Sequence, residues 1–100
     1  MKTTSKDTNG TSFHDTVINC SVLALKKILG EPSYSGNDGE DKVNFEWEME
    51  TNDGDVFTVY DWKEYRSISE GENIEWHIGG HNKRITEQAK KEIMSVFQLY

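Results

Sequence analysis

Glu46, Glu48 and Glu50 occupy alternate positions, and Tyr60 and Trp62 repeat the same spacing a short loop later. In extended chain that spacing puts each set on one face. Carboxylates facing one another across strands about 5 Å apart repel unless a cationic partner relieves them. Large aromatics set among them are the side chains that anchor protein interfaces. The chemistry this points to is recognition of a basic surface. Asp53 and Asp55 continue the acidic run, so that between Asn37 and Asp55 eight carboxylates face the single Lys42, a local charge of −7. The other 81 residues carry ten acids and ten bases. A field of one sign concentrated in this way steers a basic partner and repels a polyanion.

A second set of residues offers different chemistry. Tyr60, Trp62 and Trp76 could stack a base, while Arg66, His77 and the amides of Gly79 and Gly80 met a phosphate. Asp61 falls by alternation on the inward face, where a carboxylate needs hydrogen bonds or a cation. Arg66, His77 or the Trp76 N–H are its expected partners, or else loop amides at the strand end. Asp61 and His77 acting as acid and base would need to approach hydrogen-bonding range. No spacing demands this, so no catalytic residue is assigned.

Metal and redox chemistry find less support. His77 and His81 lie four apart with His14 distant, and Ile78-Gly79-Gly80 interrupts any helix that would align them; no metal site or cofactor is expected. Neither Asn37-Asp38-Gly39-Glu40-Asp41 nor Asn52-Asp53-Gly54-Asp55 has the spacing of a helix–loop–helix calcium loop. Glu40-Asp41-Lys42 has the form of a nuclease E-x-K but lies in a glycine loop without the upstream aspartate. The lone Cys20 rules out an internal disulfide and reads as a small buried hydrophobe.

These residues must be positioned by one small domain. The chain has 100 residues, 34% hydrophobic, with a net charge of −7, which argues against direct contact with nucleic acid or an anionic membrane. Its longest apolar run, Val22 to Leu25, is far too short to span a bilayer, and MKTTSKDTNGTS has no apolar leader core. Residues 1–11 read as a disordered tail and 12–100 as the domain, in a reducing cytoplasmic setting.

A helix is expected from Ser12, capped by Ser12 and Asp15, with Ile18, Val22, Leu25 and Leu29 as its stripe and Gly30 as its C-cap. Strict alternation then makes Phe45 to Glu50 a half-buried strand. A three-residue loop, Asn52-Asp53-Gly54, returns the chain into Val56–Trp62. That loop pairs Met49 with Phe57, Trp47 with Val59 and Phe45 with Asp61 on the core face. On the other face it pairs Glu50 with Val56, Glu48 with Thr58, Glu46 with Tyr60 and Asn44 with Trp62. A two-residue turn would exchange the faces and bring acid into the core. Ile74, Trp76 and Ile78 form a third strand ended by Gly79-Gly80. Thr86 caps a last helix carrying Ala89, Ile93, Val96, Phe97 and Tyr100. The expected fold is α+β, in the order α-β-β-β-α, a three-stranded antiparallel meander with both helices on one face.

Tyr60-Asp61-Trp62-Lys63-Glu64-Tyr65-Arg66 followed by Glu75-Trp76-His77-Ile78-Gly79-Gly80 resembles a signature in small bacteriophage proteins of no assigned activity. Phe45-Glu46-Trp47 and Leu29-Gly30-Glu31-Pro32 fit the same pattern. The resemblance implies a phage protein acting in the cytoplasm of an infected bacterial host. Small acidic phage proteins often resemble inhibitors of host or defence proteins, some presenting carboxylates in place of DNA phosphates and others sequestering a nucleotide. The leading expectation is a non-enzymatic inhibitor using Glu46, Glu48, Glu50, Asp53 and Asp55 with Tyr60 and Trp62. The alternative is a nucleotide binder built from Tyr60, Trp62, Trp76 and the Gly79-Gly80 turn.

Overall fold

The turn at Asn52-Asp53-Gly54 sets the centre of the sheet. Thr51 N–H donates to the Asp55 carbonyl at 2.9 Å, Gly54 N–H returns to the Thr51 carbonyl at 2.9 Å, and Gly54 takes φ 86°. This is the positive φ that a three-residue hairpin loop requires. In the computed structural model, which describes residues 1–97, the strands on either side then pair in the expected register. Glu46 meets Tyr60, Trp47 meets Val59, Glu48 meets Thr58, Met49 meets Phe57 and Glu50 meets Val56.

Among the described residues the fold is α+β, two helices on one face of a six-stranded antiparallel sheet. Its elements are β1 (Lys2–Thr3), β2 (Ser12–Cys20), α1 (Val22–Leu29), β3 (Tyr34–Ser35), β4 (Phe45–Glu50), β5 (Val56–Tyr60), β6 (Ile74–Gly80) and α2 (Lys83–Phe97). The strand order is β1-β4-β5-β6-β2, with β3 also on β4. The expected meander is therefore the central part of a wider sheet. All eight residues assigned to its inner face (Phe45, Trp47, Met49, Phe57, Val59, Ile74, Trp76, Ile78) are buried. Val22, Leu25 and Leu29 of α1 and Ile85, Ala89 and Ile93 of α2 close the core over them. The two buried indoles each satisfy their N–H, Trp47 on the Gly30 carbonyl at 2.8 Å and Trp76 on the Cys20 carbonyl at 2.9 Å.

Several expectations need correction. The first helix begins at Val22, not Ser12, and Ser21 is its cap, accepting from Ala24 N–H at 3.1 Å. Ser12–Cys20 is instead an edge strand on β6, its buried residues Thr16, Ile18 and Cys20 alternating with period two. Thr16-Val17-Ile18 is a β-branched run that favours extended chain. Asp15 forms no capping box; it takes φ 63° where the register shifts between Phe13 and Val17. Gly30 does end α1, its N–H on the Lys26 carbonyl at 3.0 Å.

At the last helix Asn82, not Thr86, is the cap, accepting from Ile85 N–H at 2.9 Å. Thr86 is buried against Thr16, their hydroxyls 2.7 Å apart. Tyr100 lies outside the described residues. Gly79 and Gly80 are the last two residues of β6, as expected, but they form no open turn: both are paired to β5 and to β2. A Cβ on Gly79 would fall 2.6 Å from the Thr58 hydroxyl, so glycine here permits close packing across the strands.

Residues 1–11, expected as a tail, are placed against the sheet. β1 pairs Lys2 with Glu50 and Thr3 with Met49 at the β4 edge, and β2 lies at the opposite edge, so residues 4–11 cross between them. Thr4 donates to Glu50 at 2.6 Å and Thr8 to Glu48 at 3.4 Å along the way. The crossing therefore runs over the face away from the helices.

The most constrained group is Asp61. Its side chain is fully buried, and it accepts from Asn44 N–H at 2.8 Å, Phe45 N–H at 2.9 Å and Asn44 Nδ2 at 3.0 Å. Its partners are the main-chain and side-chain amides of Asn44 and the first amide of β4; neither Arg66, His77 nor Trp76 reaches it. Asn44, expected to point outward opposite Trp62, is itself buried. From there its Nδ2 also donates to the Arg66 carbonyl and its Oδ1 accepts from Gly39 N–H. Truncating the acid leaves buried donors unpaired, each costing about 1–3 kcal/mol. Asp61→Ala should therefore lower unfolding stability by roughly 3 kcal/mol. Urea denaturation would show this as a fall in midpoint at unchanged slope.

Candidate functional site

Two long connections, residues 36–44 and 61–73, meet at Asp61; the second carries the exposed Trp62 and Tyr65, and Tyr34 of β3 stands exposed just ahead of the first. Asn37 fastens them together. Its Oδ1 accepts from Ile68 N–H at 2.7 Å, its Nδ2 donates to the Ile68 carbonyl at 3.2 Å, and its own carbonyl accepts from Ser67 at 2.9 Å. Lys63 N–H adds a bond to the Lys42 carbonyl at 2.8 Å. Ile68 is buried in the core, so the second loop is pinned from beneath. Between these loops and β3 lies a cleft of about 590 Å³ lined by Tyr34, Glu40, Asp41, Lys42, Val43, Trp62 and Tyr65.

Tyr34, Trp62 and Tyr65 are 43%, 42% and 53% exposed, high values for such large side chains. Lys63 and Tyr65 hold φ of 56° and 51°. A bulky residue rarely enters the left-handed region, and such strain persists where surrounding structure imposes it. Trp62 continues into an aromatic row on the open face. His77 stacks on Phe13 with centroids 3.9 Å apart, Tyr60 meets His77 edge-on at 5.5 Å, and Trp62 lies 6.2 Å from Tyr60 and 6.4 Å from His77. Burial holds the His77 imidazole below its usual pKa, against the pull of Glu75. Burial, reinforced by Glu46, raises the Tyr60 phenol.

The expected partner-binding acids do not form one surface. Glu50 is buried and bound by Thr4, with the Lys2 and Lys6 ammonium groups at 3.5 and 3.9 Å. The Thr4 hydroxyl, then Lys6 and Lys2, hold its carboxyl below the usual range. Asp55 is turned toward α2, 3.8 Å from Arg84. Asp53 is exposed at the hairpin tip, and the Lys6 ammonium reaches the neighbouring Gly54 carbonyl. Only Glu46 and Glu48 stay partly exposed on the open face, beside Tyr60 and Thr58 respectively. Burial and then repulsion from Glu48 push the Glu46 carboxyl upward.

The nucleotide pocket is dispersed as well. Trp76 is fully buried under the helices, and Gly79 and Gly80 lie in the ladder with no open turn. Arg66 faces outward onto Glu72 and Glu64. Only Tyr60, Trp62 and His77 of that set come together. Cys20 is buried, its thiol pushed up to about 12 by burial, which leaves it protonated and unreactive. Among the described residues no three His, Cys, Asp or Glu side chains converge on a possible metal position, and no helix is long and apolar enough to cross a membrane.

No protein-family model, curated protein or solved structure matches this chain.

Tyr34, Tyr65, Glu40, Asp41 and Phe13 join the site without having been singled out. Tyr34 and Tyr65 left a sequence signal, each an aromatic in a polar loop. Phe13 was hidden inside a stretch with apparent helical spacing.

Glu46 is held where ionisation is unfavourable. A carboxyl with a raised folded-state pKa contributes stability while protonated and loses it as pH rises through that pKa. Glu46→Gln should therefore unfold at higher denaturant than the native chain at pH 7. The advantage should shrink toward zero as pH falls below the ordinary glutamate range, followed by midpoints measured across that window.

Proposed function

We propose that this chain is a non-enzymatic binding protein of the phage-inhibitor type, acting on a basic, nucleic-acid-binding surface of a host or defence protein. The observation that carries the reading is the combination on one side of the molecule of half-exposed Tyr34, Trp62 and Tyr65 with Glu40, Asp41, Glu46 and Glu48. Aromatic anchors are where interface energy concentrates, while flanking acids steer a basic partner and set its orientation. Two features add support. The aromatic face is held rigid by Asp61 and Asn37, which lowers the ordering cost of association. Glu46 keeps its place despite an unfavourable environment, a cost more readily understood at a contact surface than in a scaffold.

The contact set differs from one built on all five acids from Glu46 to Asp55. Glu50 and Asp55 serve the fold through Lys2, Lys6, Thr4 and Arg84. The field comes instead from Glu46, Glu48 and the 38–41 loop. On this reading the protein works in the bacterial cytoplasm without a cofactor, touching neither nucleic acid nor membrane directly.

Displacement of bacterial DNA-binding proteins from DNA-cellulose tests this. The native chain should release a discrete set of proteins at low salt. A Glu46→Lys, Glu48→Lys double variant should require roughly tenfold more protein for the same release, about 1.4 kcal/mol in affinity. Equal release by native and variant chains, or none by either, would contradict the proposal.

A further inference from the structure

Trp62 already carries cations. The Lys63 ammonium stands 5.6 Å and the Lys42 ammonium 5.8 Å from its ring centroid, both within the range in which an aromatic face attracts a positive charge. Both lysines are exposed chains whose positions over the ring are not fixed by any side-chain hydrogen bond or ion pair among the described residues. The walls around the ring combine aromatic and acidic side chains. Tyr34 and Tyr65 supply two further aromatic surfaces, and Glu40 and Asp41 supply negative charge. Asp41 also accepts from the Tyr34 hydroxyl at 3.4 Å, which orients both.

Resting on the binding role proposed above, we infer that the Tyr34–Trp62–Tyr65 cleft receives an arginine side chain of the basic partner. A guanidinium is planar and more weakly hydrated than an ammonium. It stacks flat on an indole while its edge donors reach a carboxylate in a fork, whereas a lysine ammonium is a compact, strongly hydrated point charge with neither the planar face nor the fork. Lys42 and Lys63 then act as intramolecular stand-ins that the arginine displaces. This assignment separates the cleft from a nucleotide site. There the same two lysines would hold phosphate, and their removal would weaken binding.

The sign of that effect is the test. Trp47 and Trp76 are fully buried, so an emission change on adding a small peptide reports Trp62. Titration with a capped tetra-arginine peptide should give a saturable change, and a tetra-lysine peptide of equal charge should bind roughly fivefold more weakly. Lys42→Ala, Lys63→Ala should tighten arginine-peptide binding about threefold by removing the competing cations. Asp41→Asn, in an exposed loop, should weaken it without altering the unfolding midpoint. Equal affinity for the two peptides, weaker binding after removal of the lysines, or saturation by ATP alone would overturn the inference. Retained DNA-cellulose release in a chain that ignores arginine would reject the cleft and spare the inhibitor role. An arginine response without any release would reject the inhibitor role and spare the cleft.

Discussion

A buried carboxylate with no opposing cation among the described residues governs this fold. Asp61 is fully excluded from solvent, and the groups that compensate its charge are N–H donors from Asn44 and Phe45. Hydrogen bonds to a charged group are worth more than neutral ones, on the order of 1.5–3 kcal/mol each, and an unpaired charge in the same place would be far more costly. The chain at 44–45 must therefore stay where it is. Asn44 passes the constraint on, since the same side chain holds Gly39 and the Arg66 carbonyl. Two loops that would otherwise be long and mobile become one packed unit, with Trp62 and Tyr65 on its surface.

Local strain in this unit has a physical use. Lys63 and Tyr65 adopt left-handed backbone on either side of Glu64, and the turn they make displays Trp62 and Tyr65 outward. The sheet supports the display from the other side, where His77 packs between Phe13 and Trp62. The acidic charge is divided between two tasks. Glu50 fastens the N-terminal crossing through Thr4, Lys2 and Lys6, which lets a like-charged row exist on one strand. Glu46 and Glu48 remain partly uncovered beside the aromatic row.

The central hairpin was legible because two independent signals agreed. Alternation from Val43 to Glu50 and a loop of fixed length together admit one register that keeps glutamate out of the core. The flanks were less legible for a different reason. Ile18, Val22, Leu25 and Leu29 fall at helical spacing, yet the chain changes from strand to helix at Ser21, between the first two. A spacing pattern cannot show a junction inside itself, and the β-branched Thr16-Val17-Ile18 was the competing signal. Lys2–Thr3 carries no apolar pattern, because its place comes from charges and main-chain pairing with β4. Asp61 could be recognised as a misfit by alternation, and loop amides were among its expected partners. That Asn44 would be the main one was not visible, since this depends on where a loop returns in space. The cleft shared that fate: Tyr34 and Tyr65 are 31 positions apart and meet Trp62 only after both loops have folded.

Amide hydrogen exchange of the native chain at Asn44, Phe45 and Ile68 tests the account most directly. These N–H groups donate to Asp61 and Asn37, so they should exchange only through the largest opening reactions, at rates close to those of the Trp47 and Val59 amides in the central strands. Exchange at the rates of an unstructured loop would mean that Asp61 does not hold the two connections together, and that the aromatic face is not preorganised.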